Sequence, residues 1–275
     1  MTLSAVLAGM VALCPVAAIA DAPQRVVSMN LCTDQLAMLL ADEGQLISVS
    51  RIAADPRSSA MVAQASLYPA NSGLAEEVFL MQPDLVLAGS FTARASVNML
   101  ERLGIRVIKF KPAYGLGEVR DRIIEMGAAL GHPERAEVMA ANFDARLAHY
   151  LREVTLRPRA ALYYANGYTS GDKTLAGQIL AAAGFENIAA EAGFDGGGVI
   201  PLEVLAMAGP DTVITSRPYP ATSRSEEVMG HPVIEALRGA RPEAALTDSD
   251  WVCGTPFVLQ AIADMTALRE EVLRP

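Results

Sequence analysis

Two stretches of this chain spell the same local structure. Residues 76–90 read EEVFLMQPDLVLAGS, and residues 203–217 read EVLAMAGPDTVITSR. Each sets a Glu seven residues before a Pro-Asp pair, fills the gap with apolar residues, and continues into a short apolar run ending in small polar residues. The Glu opens a short helix, Pro-Asp breaks it, and LVLA or TVIT forms a buried strand behind the break. A chain that builds one corner twice predicts two similar α/β units. With 275 residues, 52% of them hydrophobic, it can fill one large core or two of ordinary size, and the repeat favours two.

The rest of the chain keeps the same alternation of apolar runs and helical patterns, as parallel α/β units do. RVVSM (25–29), LISVS (46–50), DLVLAG (84–89) and RVIKF (106–110) read as strands of the first unit, with helices over 33–43, 74–81 and 92–103. In the second unit RAALYYA (159–165), TVITS (212–216) and AALTD (244–248) read as strands, and 174–184, 201–209 and 257–273 as helices. Between the units lies PERAEVMAANFDARLAHYLREVTL, 133–156, which opens with Pro and Glu and has no internal Pro or Gly. That pattern predicts one uninterrupted helix about 36 Å long, enough to brace two lobes. The divisions are thus 1–20, 21–132, 133–157 and 158–275.

The first twenty residues, MTLSAVLAGMVALCPVAAIA, are uncharged and end in Ala-Ile-Ala before Asp21. This is the pattern of a cleavable export signal, although no basic residue precedes the apolar stretch. The stretch is short and alanine-rich for a membrane anchor, and Leu13 before Cys14 argues against lipid attachment. The mature chain keeps Cys32 and Cys253, an even number that fits either one disulfide or two buried thiols.

Several chemistries are excluded or poorly supported. A net charge of −9 with no Lys/Arg-rich run gives no surface for nucleic acid. The glycines at 167, 171, 193, 196, 197 and 198 mark loops, and no GxGxxG follows a strand, nor is there any GxxxxGK[ST]. GxSxG, HExxH and CxxC are absent, so an enzyme would have to assemble its site from scattered residues. His132, His149 and His231 lack metal-site spacing.

The opening RVVSMNLCTDQLAMLLA, the segment EEVFLMQPDLVLAG, TLAGQILAAAGFENIA with the following PLEVLAMAGPDTVI, and the late WVCGTPF occur in an order that resembles the substrate-binding proteins of bacterial ABC importers. The resemblance is to the subgroup with a rigid linking helix, which carries ferric siderophores, haem and cobalamin. It implies two Rossmann-like lobes joined by a single long α-helix, with the ligand cleft between the lobes. It further implies a periplasmic, monomeric, non-enzymatic protein that hands its cargo to an inner-membrane ABC permease and needs no cofactor of its own. One Glu on each lobe would dock on the permease. The matching residues are Glu76 and Glu203, with Glu77 an alternative to the first; the bland reading of both is an acidic residue favoured in the first helical turn. A scaffold or sensor of the same fold that binds a protein receptor is the second class of function.

Ligand in such a protein lies against loops at the strand ends. The candidates are Asn30, Arg51, Ser90, Phe91 and Arg94 from the first lobe, and Tyr164, Tyr168, Phe194, Arg217, Asp250 and Trp251 from the second. Rings suit a flat macrocycle or conjugated chelate, and guanidinium groups suit its oxygens. The structural alternatives are a core role for Tyr164, a helix-end cover for Phe194 and plain surface charge for Arg51 and Arg94. Several rings and no dense Arg cluster favour cobalamin over a siderophore. Haem ranks third, with Met29 as its one candidate axial ligand. If Cys32 and Cys253 both line the cleft, a bridge between them would link the lobes and fix the opening.

Overall fold

The structure is a computed structural model that describes residues 22–216, 224–238, 244–246 and 248–274. The expected leader, 1–20, and the ligand candidate Arg217 lie outside the described residues. The first half runs β1 (Val26–Ser28), α1 (Leu31–Leu40), β2 (Leu46–Ser50), α2 (Val62–Ala65), β3 (Ala70–Asn71), α3 (Ala75–Leu80), β4 (Leu85–Gly89), α4 (Arg94–Arg102), β5 (Val107–Phe110) and α5 (Leu116–Leu130). α6 (Pro133–Tyr150) leads to β6 (Arg159–Leu162), β7 (Tyr168–Thr169), α7 (Leu175–Ala182), β8 (Glu186–Asn187), α8 (Ile188–Glu191) and β9 (Gly198–Val199). The chain ends with α9 (Leu202–Ala208), β10 (Thr212–Ser216), α10 (Pro232–Arg238), β11 (Ala244–Leu246), α11 (Asp248–Trp251) and α12 (Val258–Val272).

The corner is built twice, and by more residues than its sequence motif shows. α3 and α9 each end at a left-handed residue just before the proline, Gln82 with φ 49° and Gly209 with φ 56°. The Asp of each Pro-Asp pair then accepts from the backbone at the start of its lobe's first strand: Asp84 from Gln24 and Arg25 N–H at 2.7 and 3.0 Å, Asp211 from Arg159 N–H at 2.8 Å. The same two arginines reach back to the open carbonyls of the helix end. Arg25 donates to Met81 O and Gln82 O at 2.6 and 3.0 Å, and Arg159 to Ala208 O at 2.6 Å. Orphan carbonyls at a helix C-terminus carry partial negative charge, which is why a guanidinium settles there.

These corners fix β4 beside β1 and β10 beside β6, in parallel register Val26↔Leu85 and Ala160↔Thr212. The first sheet has the order β3-β2-β1-β4-β5 and the second β11-β10-β6-β8, which is the same order read from the opposite side without its outermost strand. Every pair within these two sheets is parallel, and β7 with β9 forms a separate antiparallel pair. In each lobe the chain reverses its direction of travel across the sheet beside the first strand. The loops leaving the strand ends part there and leave a crevice.

The core departs from the expectation of two. One continuous cluster runs from Val26, Leu36 and Leu87 of the first lobe through Ile123, Phe143 and Leu147 to Leu162, Ile179, Ile262 and Met265 of the second. Two smaller clusters lie apart from it, one around Val27, Val78 and Leu100 and one around Tyr163, Leu205 and Val213. The cause is the packing of α5, α6, α7 and α12 on one another, which carries apolar surface across the lobe boundary. α5 has no counterpart among the helices predicted above. It packs so closely on α6 that a Cβ at Gly127 would sit 2.2 Å from that of Ala136.

α6 is also shorter than the 133–157 span predicted for the linker. It begins at Pro133, after left-handed Gly131, and stops at Tyr150. Its buried positions, Ala136, Ala140, Phe143 and Leu147, end there, and Leu151 and Leu156 are exposed. Beyond that point the β-branched Val154 and Thr155, and Pro158 acting on the residue before it, favour extended backbone.

Candidate functional site

At the first lobe's crevice Asn30 follows β1 and caps α1, its side-chain oxygen accepting from Cys32 N–H at 3.0 Å. Gly89 ends β4 so close by that a Cβ would lie 2.9 Å from Asn30 Cγ, so a side chain there would have to displace the Asn30 amide. Ser90 continues, donating its hydroxyl to Phe110 O at 3.1 Å, and the Phe91 ring stands 81% exposed. From the second lobe the segment after α11 crosses over. Cys253 is disulfide-bonded to Cys32 with 5.1 Å between their Cα atoms, and Gly254 lies against Ala113.

Together these parts enclose a cavity of about 190 Å³. Asn30, Ser90 and Phe91 line it with Phe110, Lys111, Pro112 and Arg122, and Val252 and Gly254 close it from the other lobe. The wall is mostly apolar with a few polar groups, the usual make-up of a small-molecule site, and the volume admits part of a large ligand. Further ties hold the lobes together: Gln178 Oε1 accepts from Leu116 N–H at 2.8 Å, and Thr255 Oγ1 lies 3.4 Å from Gln35 Oε1.

A model of the family described as "Periplasmic binding protein" matches residues 26–241. The chain belongs to the periplasmic binding protein family. A cobalamin-binding protein of Halobacterium salinarum is 29% identical over 199 residues, 70% of this chain and 54% of that one, so the chain spans about half the length of this relative. A vitamin B12-binding protein of Salmonella typhi is 23% identical over 84% of this chain and 78% of its own length. Among solved structures, the periplasmic haem-binding protein of Roseiflexus sp. RS-1 superimposes with a TM-score of 0.75 at 22% identity, over 91% of this chain and 99% of that one. The periplasmic vitamin B12-binding protein of Vibrio cholerae does so with a TM-score of 0.66 at 16% identity, over 92% and 99%. These likenesses agree with the expected two-lobed α/β architecture.

Not every candidate of the sequence reading belongs to the cavity of this periplasmic binding protein. Arg51 opens the turn after β2 and donates to Ser72 Oγ, and Arg94 starts α4 on the surface; neither lines the cavity. Tyr164 is 8% exposed and belongs to the main core, where its ring stacks on half-buried Trp251 with centroids 5.6 Å apart. Phe194 closes the end of α8: its N–H donates to Ala189 O at 2.8 Å after left-handed Gly193, and its ring covers the small cluster of the second lobe. These two rings are structural because each completes an apolar surface that its neighbours leave open. Tyr168 remains 44% exposed on the β7–β9 pair, and Asp250 is half-buried in α11. Met29 is 6% exposed within the first lobe, which removes it as an axial ligand facing the cleft.

Sequence reasoning missed Phe110, Lys111, Pro112, Val252 and Arg122. Phe110 ends a predicted strand and Lys111 and Pro112 follow it, so the strand-end rule that selected Ser90 could have found them. Arg122 sits on α5, whose pattern was not read as a helix.

Glu76 and Glu203 occupy the first turns of α3 and α9, both exposed and without an ion pair among the described residues. Glu77 differs: its Oε2 accepts from Ser72 N–H at 2.7 Å. The local fold engages that carboxylate, which leaves Glu76 as the counterpart of Glu203.

Proposed function

We propose that this chain is the monomeric solute-binding component of an ABC importer, that it captures cobalamin between its lobes in the periplasm, and that it delivers it to an inner-membrane permease. The observation that carries the reading is the cavity bounded by both lobes, with the exposed Phe91 ring at its wall. Such a ring stacks on a flat macrocycle at little cost in ordering. The relatives named above as cobalamin and vitamin B12 binders support a corrinoid over a ferric siderophore. A haem cargo has less support, because the thioether of Met29 is buried away from the cleft. The role is capture rather than catalysis.

Glu76 and Glu203, one per lobe on equivalent helices, are the surface carboxylates that would meet basic residues of the permease. Reversing both, Glu76→Lys with Glu203→Lys, is expected to abolish cobalamin uptake by vesicles carrying the permease. Binding of cobalamin to the isolated protein, measured by equilibrium dialysis, should stay within about twofold, since exposed charges far from the cavity act weakly there. Uptake that survives the double reversal would remove the docking role and favour a receptor-binding scaffold.

A further inference from the structure

Resting on the corrinoid reading, we propose that Arg122 and Lys111 form an anion subsite within the interlobe cavity that receives a phosphate ester on a side arm of the ligand. The chain as a whole carries a net charge of −9, yet among the described residues the only charged ones lining this cavity are two cations, Lys111 and Arg122. The Arg122 side chain is 19% exposed, and its Nε is buried with no hydrogen-bond partner among the described residues. Its Nη1 lies 3.2 Å from Glu125 Oε2 and 3.4 Å from Lys111 O, and Glu125 does not line the cavity. The Glu125 and Lys111 contacts at Nη1 therefore hold the guanidinium in place at the cavity wall.

The neighbouring cations are already engaged: Lys109 pairs with Glu101 at 2.9 Å, and Arg120 with Asp144 at 3.0 Å and Glu137 at 3.3 Å. Lys111 makes no ion pair among the described residues, and the one ion pair of Arg122, with Glu125, is to a carboxylate outside the cavity lining. Leu36, Phe91, Phe110 and Val252 supply apolar wall beside the polar Asn30, Thr33 and Ser90, so an oxyanion here would meet these charges in surroundings less polar than bulk water. The corrin ring's peripheral amides are neutral, whereas the nucleotide arm of a complete corrinoid carries a phosphate ester. A planar guanidinium matches two of its oxygens at once.

The test compares cobinamide with cobinamide phosphate, which differ by the phosphate alone, on wild-type protein and on Arg122→Gln and Lys111→Gln. Wild type is expected to hold the phosphate form roughly tenfold tighter, the scale of one hydrogen bond to a charged group, and to lose that margin at high salt. In Arg122→Gln the ratio should fall to near one and in Lys111→Gln it should fall in part, with a circular dichroism spectrum and melting temperature near wild type showing that each variant is folded. Equal binding of the two ligands by wild type, or a ratio unchanged in both variants, would overturn the subsite and leave the cargo reading standing. No binding of either corrinoid would overturn the cargo reading and the subsite together.

Discussion

Asp34 sits in the first turn of α1 with no exposed surface, its carboxylate accepting from Ser50 N–H at 3.2 Å and from the Ser50 hydroxyl. Burial pushes its pKa up to about 7, against hydrogen bonds from Ser28 and Ser50 that pull it down. The folded protein thus keeps a proton up to about pH 7 that the unfolded chain releases near 3.8. Its contribution to stability is fully present below the unfolded value and is lost as pH rises through about 7. The melting temperature should therefore decline between about pH 4 and 7, and Asp34→Asn should flatten that decline. An identical slope in the variant would place the pH dependence elsewhere. Asp34 was invisible as a buried group in the sequence. At this scale sequence reasoning stops for a physical reason: the exposure of a ring or carboxylate depends on what packs over it, so the ligand and structural readings of Tyr164 and Phe194 both stayed open.

At the scale of elements the legible part was large. The longer strands of both sheets were readable from their apolar runs, and the doubled corner announced the doubled lobe. The two-residue strands β3 and β8 and the β7–β9 pair were not, because so few residues carry no periodicity. The linker ended early because helical propensity without a buried face does not sustain a helix. The arginine of the corner was missed because it lies at the start of its lobe's first strand, far in sequence from the helix it caps. If Arg25 and Arg159 do the same work, Arg25→Ala and Arg159→Ala should each cost about 1 kcal/mol in denaturant unfolding. Their effects should add in the double variant to within about 0.5 kcal/mol, as expected of distant sites. A negligible cost at both positions would mean that proline and the aspartate hydrogen bonds hold the corner unaided.

The whole molecule is two lobes that share one core and are tied again at the cleft by the Cys32–Cys253 disulfide. The sequence left that pairing open, since two cysteines 221 residues apart reveal nothing of their distance in space. A continuous core between lobes resists hinge motion, so capture depends on a cleft already shaped for its cargo. Preformed capture of a corrinoid is the central claim, and Trp251, the only tryptophan, reports on it from the residue next to Val252 in the cavity wall. The decisive measurement is a fluorescence titration of the protein with cyanocobalamin, with haemin and a ferric siderophore run alongside. Saturable quenching by cyanocobalamin at micromolar concentration or below, with one site per chain, is the result predicted here. A folded protein whose tryptophan emission responds saturably to haemin or the siderophore but not to cyanocobalamin, or to none of the three, would contradict it.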